Sequence, residues 1–135
     1  MEEPVWLTRQ VVELLQLEQL AEHGGRRGIR DDNALESAVA RPHQRWRYRA
    51  GATLPELAAS LCYGLVRDHP FVDGNKRAGF LAAYTFLALN GWALEAGVDD
   101  VVTTIEGLAA GSISEAALAK WVSSHVKRRV DDRTE

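Results

Sequence analysis

Residues 77–91, RAGFLAAYTFLALNG, are apolar on nearly every side of a helix. A helix that lies on a protein surface keeps one polar face, so this pattern predicts a helix that is buried on most of its sides. Asn90 and Gly91 are residues that commonly end a helix. The rest of the chain must cover this central helix, and its own apolar periodicity predicts an all-α bundle of about six helices.

Two helices are predicted near the N-terminus. The stretch LTRQVVELLQLEQLAEHGG (7–25) places apolar residues at helical spacing before a Gly-Gly stop. The stretch IRDDNALESAVARP, which follows, predicts a short helix that begins at Asp31 or Asp32 and is ended by Pro42. The next ten residues, HQRWRYRAGA (43–52), have no apolar period and are interpreted as a loop.

Two later helix starts are predicted from capping boxes, in which a Ser or Thr and a Glu three residues later satisfy the N–H groups of a helix start. The two boxes are Thr53 with Glu56 and Ser112 with Glu115. The helix after the first box ends near Asp68, because a residue before proline avoids the helical conformation. A further helix is predicted over roughly 99–110, and no strand is predicted.

Composition limits the class of protein. The 135 residues and 14.9 kDa fit one domain, assigned to residues 1–126, and the charged end, 127–135, is expected to be frayed. Lys and Arg number 16 against 19 Asp and Glu, so no overall positive field favours nucleic acid. The single cysteine, Cys62, excludes an internal disulfide and is expected in the core. Neither a signal peptide nor a membrane-spanning run is recognised, which favours a cytoplasmic protein without a membrane partner.

The segment before the buried helix, HPFVDGNKR (69–77), is predicted to be a loop that leads into a helix N-terminus. A helix start has unpaired N–H groups and the positive end of the helix dipole, so it can bind phosphate. Gly74 allows a ligand close to the backbone, and Lys76 and Arg77 add two positive charges, which suits a di- or triphosphate. Asp73 would repel such a group unless a cation lay between them. Since Mg²⁺ is often held by a carboxylate and phosphate oxygens, the segment predicts a Mg-nucleotide site.

His69 adds a proton acceptor to this site. It lies four residues before Asp73 and can take a proton near neutral pH from a hydroxyl that attacks the bound phosphate. Phe71 is expected to point inward and anchor the loop. A Walker A loop requires a different glycine spacing around Lys76, and a zinc site requires three or four ligands, so neither fits. The segment therefore predicts group transfer.

HPFVDGNKR resembles the signature H-x-F-x-[DE]-[GA]-N-[GK]-R of the Fic/Doc family. The stretches GGRRGIRDDNALESAVARP, LAAYTFLALNGW and GSISEAALAKWV extend the resemblance to the death-on-curing (Doc) toxin branch of type II toxin-antitoxin systems. It covers roughly residues 5 to 126. The resemblance implies an all-α Fic/Doc-like bundle in which the active-site loop leads into the buried central helix.

The resemblance also implies roles for single residues. His69 would be the base for a target hydroxyl, and Asp73 would hold Mg²⁺ through the nucleotide phosphates. The implied phosphate-binding residues are Gly74, Asn75, Lys76 and Arg77, the first two as part of an anion cradle. The implied cofactors are ATP and Mg²⁺.

Two departures bear on the reaction. Members that transfer AMP carry Gly at the position of Lys76 and a second Arg where this chain has Phe80. Both departures agree with the Doc branch, which resembles a protein kinase that transfers the γ-phosphate of ATP to a threonine of translation elongation factor Tu and so blocks translation. Two alternatives remain: AMP transfer to a protein hydroxyl, and a non-catalytic binding or regulatory subunit that acts through its antitoxin.

The resemblance implies a partner as well, a small Phd-like antitoxin whose disordered C-terminal segment folds into a groove on the toxin. Many Fic proteins instead carry an inhibitory helix with the pattern [ST]-x-x-x-E-[GN]. The nearest match here is Glu106 with Gly107, but Val102 stands where Ser or Thr belongs. No built-in inhibitor is therefore predicted.

Arginines alternate with Trp46 and Tyr48 in RPHQRWRYR (41–49). In Fic proteins the equivalent connection is a flap that aligns the target, so docking of a protein substrate is one interpretation. A plain solvated loop is another, and contact with RNA is a third, although direct nucleic-acid binding is not the expected function. Arg67 is a further candidate for phosphate or target contact, against a role as a surface charge.

Overall fold

A computed structural model describes residues 2–129 as one helical bundle with a small sheet. The elements in chain order are α1 (Arg9–His23), α2 (Asp32–Tyr48), α3 (Leu54–Asp68), α4 (Asn75–Leu89), β1 (Trp92–Leu94), α5 (Val98–Ala110), α6 (Glu115–Ser124) and β2 (Val126–Arg128). The predicted all-α bundle of about six helices is confirmed, with the two short strands as an addition. No helix in the described range has both the length and the apolar character needed to cross a membrane.

Most helices begin where a side chain can accept hydrogen bonds from the first turn. The capping side chains of α1, α2, α3 and α6 are Thr8, Asp31, Thr53 and Ser114. The capping box of Thr53 and Glu56 is complete, because Glu56 also accepts from the backbone N–H of Thr53 at 2.9 Å. Helix α5 ends at Gly111, which adopts a φ of 86°, a left-handed conformation that glycine tolerates without strain.

The core lies around α3 and α4, which share the centre of the bundle. Helix α3 packs against α2, α4, α5 and α6, and most of its residues are buried. Gly79 of α4 permits a close approach, since a Cβ there would lie 2.6 Å from a methyl of Val66 and 3.3 Å from the carbonyl of Cys62. Cys62 itself is a core residue, as predicted, and burial raises the pKa of its thiol to about 12. This packing fixes the ends of α3 and α4 relative to each other.

Helix α2 corrects the predicted stop at Pro42. The helix continues through Pro42 to Tyr48, so the interpretation of 43–52 as a loop is wrong for most of its length. A proline inside a helix costs about 3 kcal/mol. Contacts beyond the proline offset this cost: Trp46 packs against the core, and Arg45 donates to Glu115 on α6 at 2.8 Å. These are tertiary contacts, so local sequence rules do not predict them.

The small sheet corrects the expectation of no strands. β1 and β2 pair antiparallel, with Trp92 opposite Arg128 and Leu94 opposite Val126. Each strand has three residues, which is too short for an alternating pattern to stand out in the sequence. β2 extends beyond position 126, where the predicted domain ends, and residues 130–135 of the predicted tail lie outside the described part of the chain.

The second predicted capping box is also wrong. The N-cap of α6 is Ser114, whose hydroxyl accepts from Ala117 N–H at 3.0 Å, and not Ser112. Glu115 does not reach back to the helix start, because Arg41 and Arg45 hold its carboxylate from α2. Helix α6 therefore keeps a local N-cap at Ser114, and the carboxylate of Glu115 pairs with helix α2 instead of completing a capping box.

Candidate active site

The HPFVDGNKR segment lies between the C-terminal end of α3 and the first turn of α4, as predicted. Phe71 is only 2% exposed and anchors the loop in the core. The loop is also paired with residues 28–31: Val72 N–H donates to Gly28 O at 3.0 Å, and Arg30 N–H donates to Pro70 O at 2.7 Å. The loop is therefore held both from inside and along one edge.

The start of α4, like that of α5, has a glycine N-cap and no capping side chain, but α5 has two acidic residues in its first turn and α4 has none. Its N-cap is Gly74, with φ 80°, and no side chain caps the first turn. No acidic residue lies in this turn, and Lys76 and Arg77 occupy it instead. Cations at the positive end of a helix dipole are unfavourable by about 0.3 to 1 kcal/mol each. An anion bound at the exposed N–H groups would reverse this cost.

Asn75 has a structural role in the loop. Its side chain accepts from Phe71 N–H at 2.9 Å and donates to Phe71 O at 3.0 Å, and the residue is 8% exposed. Both ends of the amide are therefore used within the protein. The predicted contribution of Asn75 to an anion cradle would have to come from its backbone N–H.

Asp73 is held at two points. Its backbone carbonyl accepts from the side chain of Gln16 at 2.9 Å, and its Oδ2 accepts from Arg26 N–H at 2.6 Å. Gln16 is 2% exposed, so this anchor is part of the core. The lack of a side chain at Gly25 is required here, because a Cβ would lie 2.7 Å from Leu20 and 3.3 Å from the Asp73 Cβ. The packing thus fixes the direction of the carboxylate.

The donor set fits magnesium held jointly with a nucleotide. Within residues 2–129 no group of three or more His, Cys, Asp and Glu side chains comes together as a complete metal site. Asp73 would supply one carboxylate, and Mg²⁺ commonly completes its octahedral shell with phosphate oxygens and water. Such an ion would bind at Asp73 only together with phosphate at the adjacent start of α4.

His69 is exposed at the C-terminal end of α3 and has an unusual backbone conformation. Its φ of 48° and ψ of 57° are left-handed, and it is the single non-glycine residue in the described range with a positive φ. Two backbone carbonyls at this point, those of Asp68 and His69, accept hydrogen bonds from the guanidinium of Arg30 at 2.7 and 2.6 Å. The imidazole therefore projects from a fixed turn, four residues before Asp73 in the chain.

A cleft of about 420 Å³ opens at the start of α4. Gly74, Lys76 and Arg77 line its polar end. Apolar side chains from α4 and α5 line the remainder, namely Phe80, Leu81, Val101, Val102 and Ile105. The cleft thus joins a cationic helix start to a surface that suits an apolar or aromatic ring.

Glu106 of α5 also lines the cleft and forms an ion pair with Lys76 at 2.6 Å. Sequence analysis placed Glu106 in an incomplete inhibitory pattern and assigned it no contact. In the structure its carboxylate pairs with Lys76, one of the two cations predicted to bind phosphate, and both side chains are half exposed. A nucleotide phosphate would have to compete with Glu106 for Lys76.

The arginines of residues 41–49 do not meet this site. Arg45 and Arg49 lie near the N-terminal end of α3, whereas Arg41 contacts the middle of that helix, where its Nε donates to Ser60 O at 3.0 Å. None of these arginines lines the cleft at the start of α4. The segment that is hydrogen-bonded to the motif is 25–31, and docking of a target by 41–49 stays a prediction.

Arg67 makes a structural contact. Its guanidinium donates to the carbonyls of Leu108 and Ala109, at 3.3 and 3.2 Å, at the C-terminal end of α5. Carbonyls in the last turn of a helix lack partners within the helix, and a cation there also complements the dipole. Arg67 thus ties α3 to α5.

Comparison with known proteins identifies the family. The family model described as the Fic/DOC family matches residues 6–87, which is more than half of the chain and includes α1 to α3 and all but the last two residues of α4. The chain belongs to the Fic/DOC family. The matched region contains His69, Asp73 and the whole start of α4, whereas Glu106 of α5 lies beyond it.

The chain is also similar to a protein with a curated name. The Fic/DOC chain is 44% identical over 77 residues to a protein named Toxin Doc from Mycolicibacterium smegmatis. The aligned part is 56% of this chain and 59% of that protein, so the chain spans less than two thirds of the relative's length. The chain that carries the HPFVDGNKR signature is thus similar to a protein named as a toxin.

Three residues that shape the site were not predicted from sequence, namely Gln16, Arg30 and Glu106. Gln16 had a recognisable signal, because it is a polar residue on the buried face formed with Val12 and Leu20. Arg30 and Glu106 are charged residues near a helix end and on a helix surface, and nothing in the local sequence separates them from solvated ones. Their contacts depend on packing between distant segments.

Proposed function

We propose that this Fic/DOC protein is a Mg-ATP-dependent phosphotransferase that acts on a protein hydroxyl and serves as the toxin of a toxin-antitoxin pair. The observation that carries the proposal is the start of α4, where a glycine N-cap and two cations face a cleft. Asp73 and His69 lie outside the lining of this cleft, in the loop that leads directly into α4. A bound anion would make this arrangement of charges favourable. A nucleotide phosphate supplies that anion.

Each residue has a role in the proposed transfer. The N–H groups of the first turn of α4, with Lys76 and Arg77, would bind the phosphates, and Asp73 would hold Mg²⁺ against them. Bound Mg²⁺ would neutralise negative charge on the phosphates. His69 would accept the proton of the target hydroxyl while the oxygen of that hydroxyl bonds to the γ-phosphorus. The bond from that phosphorus to the bridging oxygen breaks, and ADP leaves with the bonding electrons.

Two features favour γ-phosphate transfer over AMP transfer. Lys76 replaces the glycine found in AMP-transferring members, and Phe80 lines the cleft where those members carry a second arginine. An apolar ring at Phe80 offers no hydrogen bond to a phosphate, so it favours a different placement of the nucleotide. The same two positions suggest the Doc-type reaction.

The proposed target is a threonine of elongation factor Tu, on the basis of the Doc resemblance, and its modification would stop translation. Segment 25–31 is the proposed guide for the target chain, because it runs along the motif and exposes Ile29 beside Val72. The proposed partner is a Phd-like antitoxin. Both partners would meet the protein in the cytoplasm.

A labelling assay tests the proposal. Purified protein, Mg²⁺ and bacterial elongation factor Tu are incubated with ATP labelled on either the α- or the γ-phosphate, with His69→Ala in parallel. Transfer of the γ-label alone, reduced in His69→Ala by about 100-fold or more, is the expected result. His43→Ala, which removes an exposed histidine from α2, serves as the matched control and is expected to keep activity.

Other results would redirect the assignment. Transfer of the α-label would establish AMP transfer in spite of Lys76 and Phe80. Transfer of neither label, with an antitoxin bound tightly, would favour the non-catalytic regulatory subunit. Equal activity of His69→Ala and the unchanged protein would remove His69 from the mechanism.

A further inference from the structure

We propose that Arg30 is the positioning residue for His69, holding the catalytic imidazole in place through the backbone of the turn. The inference rests on the proposed function for its kinetic consequence, although its structural part can be tested without any reaction. Arg30 lies outside the signature segment and comes from the connection between α1 and α2. Its guanidinium reaches the carbonyls of both Asp68 and His69.

The conformation of His69 needs external support. A left-handed conformation is unfavourable for a non-glycine residue, because its Cβ approaches the following carbonyl oxygen. The following residue is Pro70, and a residue before proline prefers an extended conformation. Left to local preferences, His69 would therefore leave the left-handed region, and its side chain would point elsewhere.

Local hydrogen bonding cannot supply that support. A helix that ends in a left-handed residue is commonly closed by the N–H of the next residue, which bonds back to the last turn. Pro70 has no N–H, so this bond is impossible here. The carbonyls of Asp68 and His69 accept from Arg30 instead. The planar guanidinium binds both at once, which the single ammonium of lysine does less well.

Arg30 is itself held on both sides. Its backbone N–H donates to Pro70 O at 2.7 Å, and the N–H of Asp31 donates to the same oxygen at 3.1 Å. Asp31 is also the N-cap of α2, accepting from Ala34 N–H at 3.0 Å. The guanidinium is therefore delivered from the fixed start of a helix, and the turn at 68–70 is bound to α2 by main chain and side chain together.

Removal of the Arg30 guanidinium should displace His69, the proposed base, and leave the proposed phosphate site intact. Lys76 and Arg77 lie beyond the loop on α4, and Asp73 is held separately by Gln16 and Arg26. We expect kcat to fall by about 10- to 100-fold, because small misplacement of a catalytic group has effects of this size. The KM for ATP should change by less than about twofold. A general loss of structure would change both.

The experiment uses Arg30→Ala, Arg30→Lys and the matched control Arg128→Ala, an exposed arginine of β2. NMR of the protein reports the backbone and imidazole signals of His69, and kinetics with ATP report kcat and KM. The expected result is a shift of the His69 signals in Arg30→Ala, a smaller shift in Arg30→Lys, and none in Arg128→Ala. The loss of kcat should follow the same order.

Unchanged His69 signals in folded Arg30→Ala would overturn the proposal, as would a fall in kcat without any change at His69. If Arg30→Ala does not fold, Arg30→Lys carries the same test, because it keeps a cation with N–H donors. The NMR comparison also separates the two levels of inference. Shifted His69 signals in a protein that transfers no phosphate would support the positioning role and reject the proposed function.

Discussion

The N-termini of α3 and α4 lie at opposite ends of the central pair of helices and are built in opposite ways. At α3, Thr53 and Glu56 satisfy the first-turn N–H groups, and Glu56 places a negative charge at the positive end of the dipole. At α4, Gly74 offers no cap, and Lys76 and Arg77 place positive charges there. The first arrangement is complete within the protein, whereas the second becomes favourable when an anion binds.

This difference gives the start of α3 a role in stability and the start of α4 a proposed role in ligand binding. The start of α3 has its capping hydrogen bonds made within the protein. The start of α4 has no side-chain cap and is the proposed phosphate site, at the end of a loop in which Arg26 and Arg30 hold Asp73 and His69. Substitutions at the two helix starts should therefore have opposite patterns of effect.

Charge reversal at α4 should give the largest effect. Arg77→Glu is expected to weaken Mg-ATP binding by about 10- to 100-fold, because a charge-assisted hydrogen bond is lost and a repulsion is added. The same change should leave the unfolding free energy unchanged or raise it by about 0.3–1 kcal/mol, since an acid suits a helix start. Calorimetric titration and chemical denaturation measure the two quantities.

A control for that prediction reverses a charge at the other end of a helix. Arg47 lies in the last turn of α2, where a cation complements the dipole. Arg47→Glu should therefore lose stability and keep its affinity for Mg-ATP. If Arg77→Glu instead destabilised the protein as Arg47→Glu does, the start of α4 would not be an anion site.

Removal of the cap at α3 should give the converse result. Thr53→Ala is expected to lower the unfolding free energy by about 1 kcal/mol, because an N-cap hydrogen bond is lost. Its affinity for Mg-ATP should be unchanged, since this helix start is far from the cleft. Thr103→Ala, at an exposed position within α5, is the matched control and should change stability little. A weaker affinity in Thr53→Ala would contradict the separation of roles.

The ion pair between Lys76 and Glu106 should give a smaller effect. Glu106→Gln keeps the shape of the side chain and frees Lys76 for phosphate. Exposed ion pairs contribute up to about 1 kcal/mol, so Mg-ATP should bind up to about fivefold more tightly. Weaker binding in this variant would mean that Glu106 helps to position the nucleotide.

The pH dependence of stability that arises from Glu56 at the start of α3 should be the smallest effect. The backbone N–H of Thr53 holds the pKa of the Glu56 carboxyl below its usual value of 4.5. A lowered pKa in the folded protein adds stability above the unfolded pKa, and this is lost as the pH falls through the folded pKa. The stability difference between the unchanged protein and Glu56→Gln should therefore shrink below pH 4.5. A difference that persisted through that range would contradict the role of the charge.

Local chemistry explains which features could be predicted from sequence. The boundaries at Thr53, Asp68 and Gly111 depend on neighbouring residues, and the structure confirms them. The loop position of the motif and the inward direction of Phe71 were predicted for the same reason. The failures depend on distant contacts: α2 passes Pro42 because later residues pack well, and Glu115 is taken by arginines of α2.

In the candidate site, too, the features that depend on neighbouring residues were predicted and those that depend on distant contacts were not. Residue types and order identified His69, Asp73 and the cationic helix start, since their chemistry lies within nine consecutive positions. The supports from Gln16 and Arg30 come from other segments and were missed. The family resemblance suggested a target-docking flap at 41–49 as one of three interpretations, and the sequence did not predict that 25–31 lies beside the motif.

The most direct test of the account is an NMR titration of the protein with Mg-ATP, following the backbone amides of both helix starts. The account predicts saturable shifts at the amides of residues 74–77 and none at those of residues 53–56. Shifts at both helix starts, or the absence of saturable shifts at 74–77, would contradict the assignment of the α4 N-terminus as the nucleotide phosphate site.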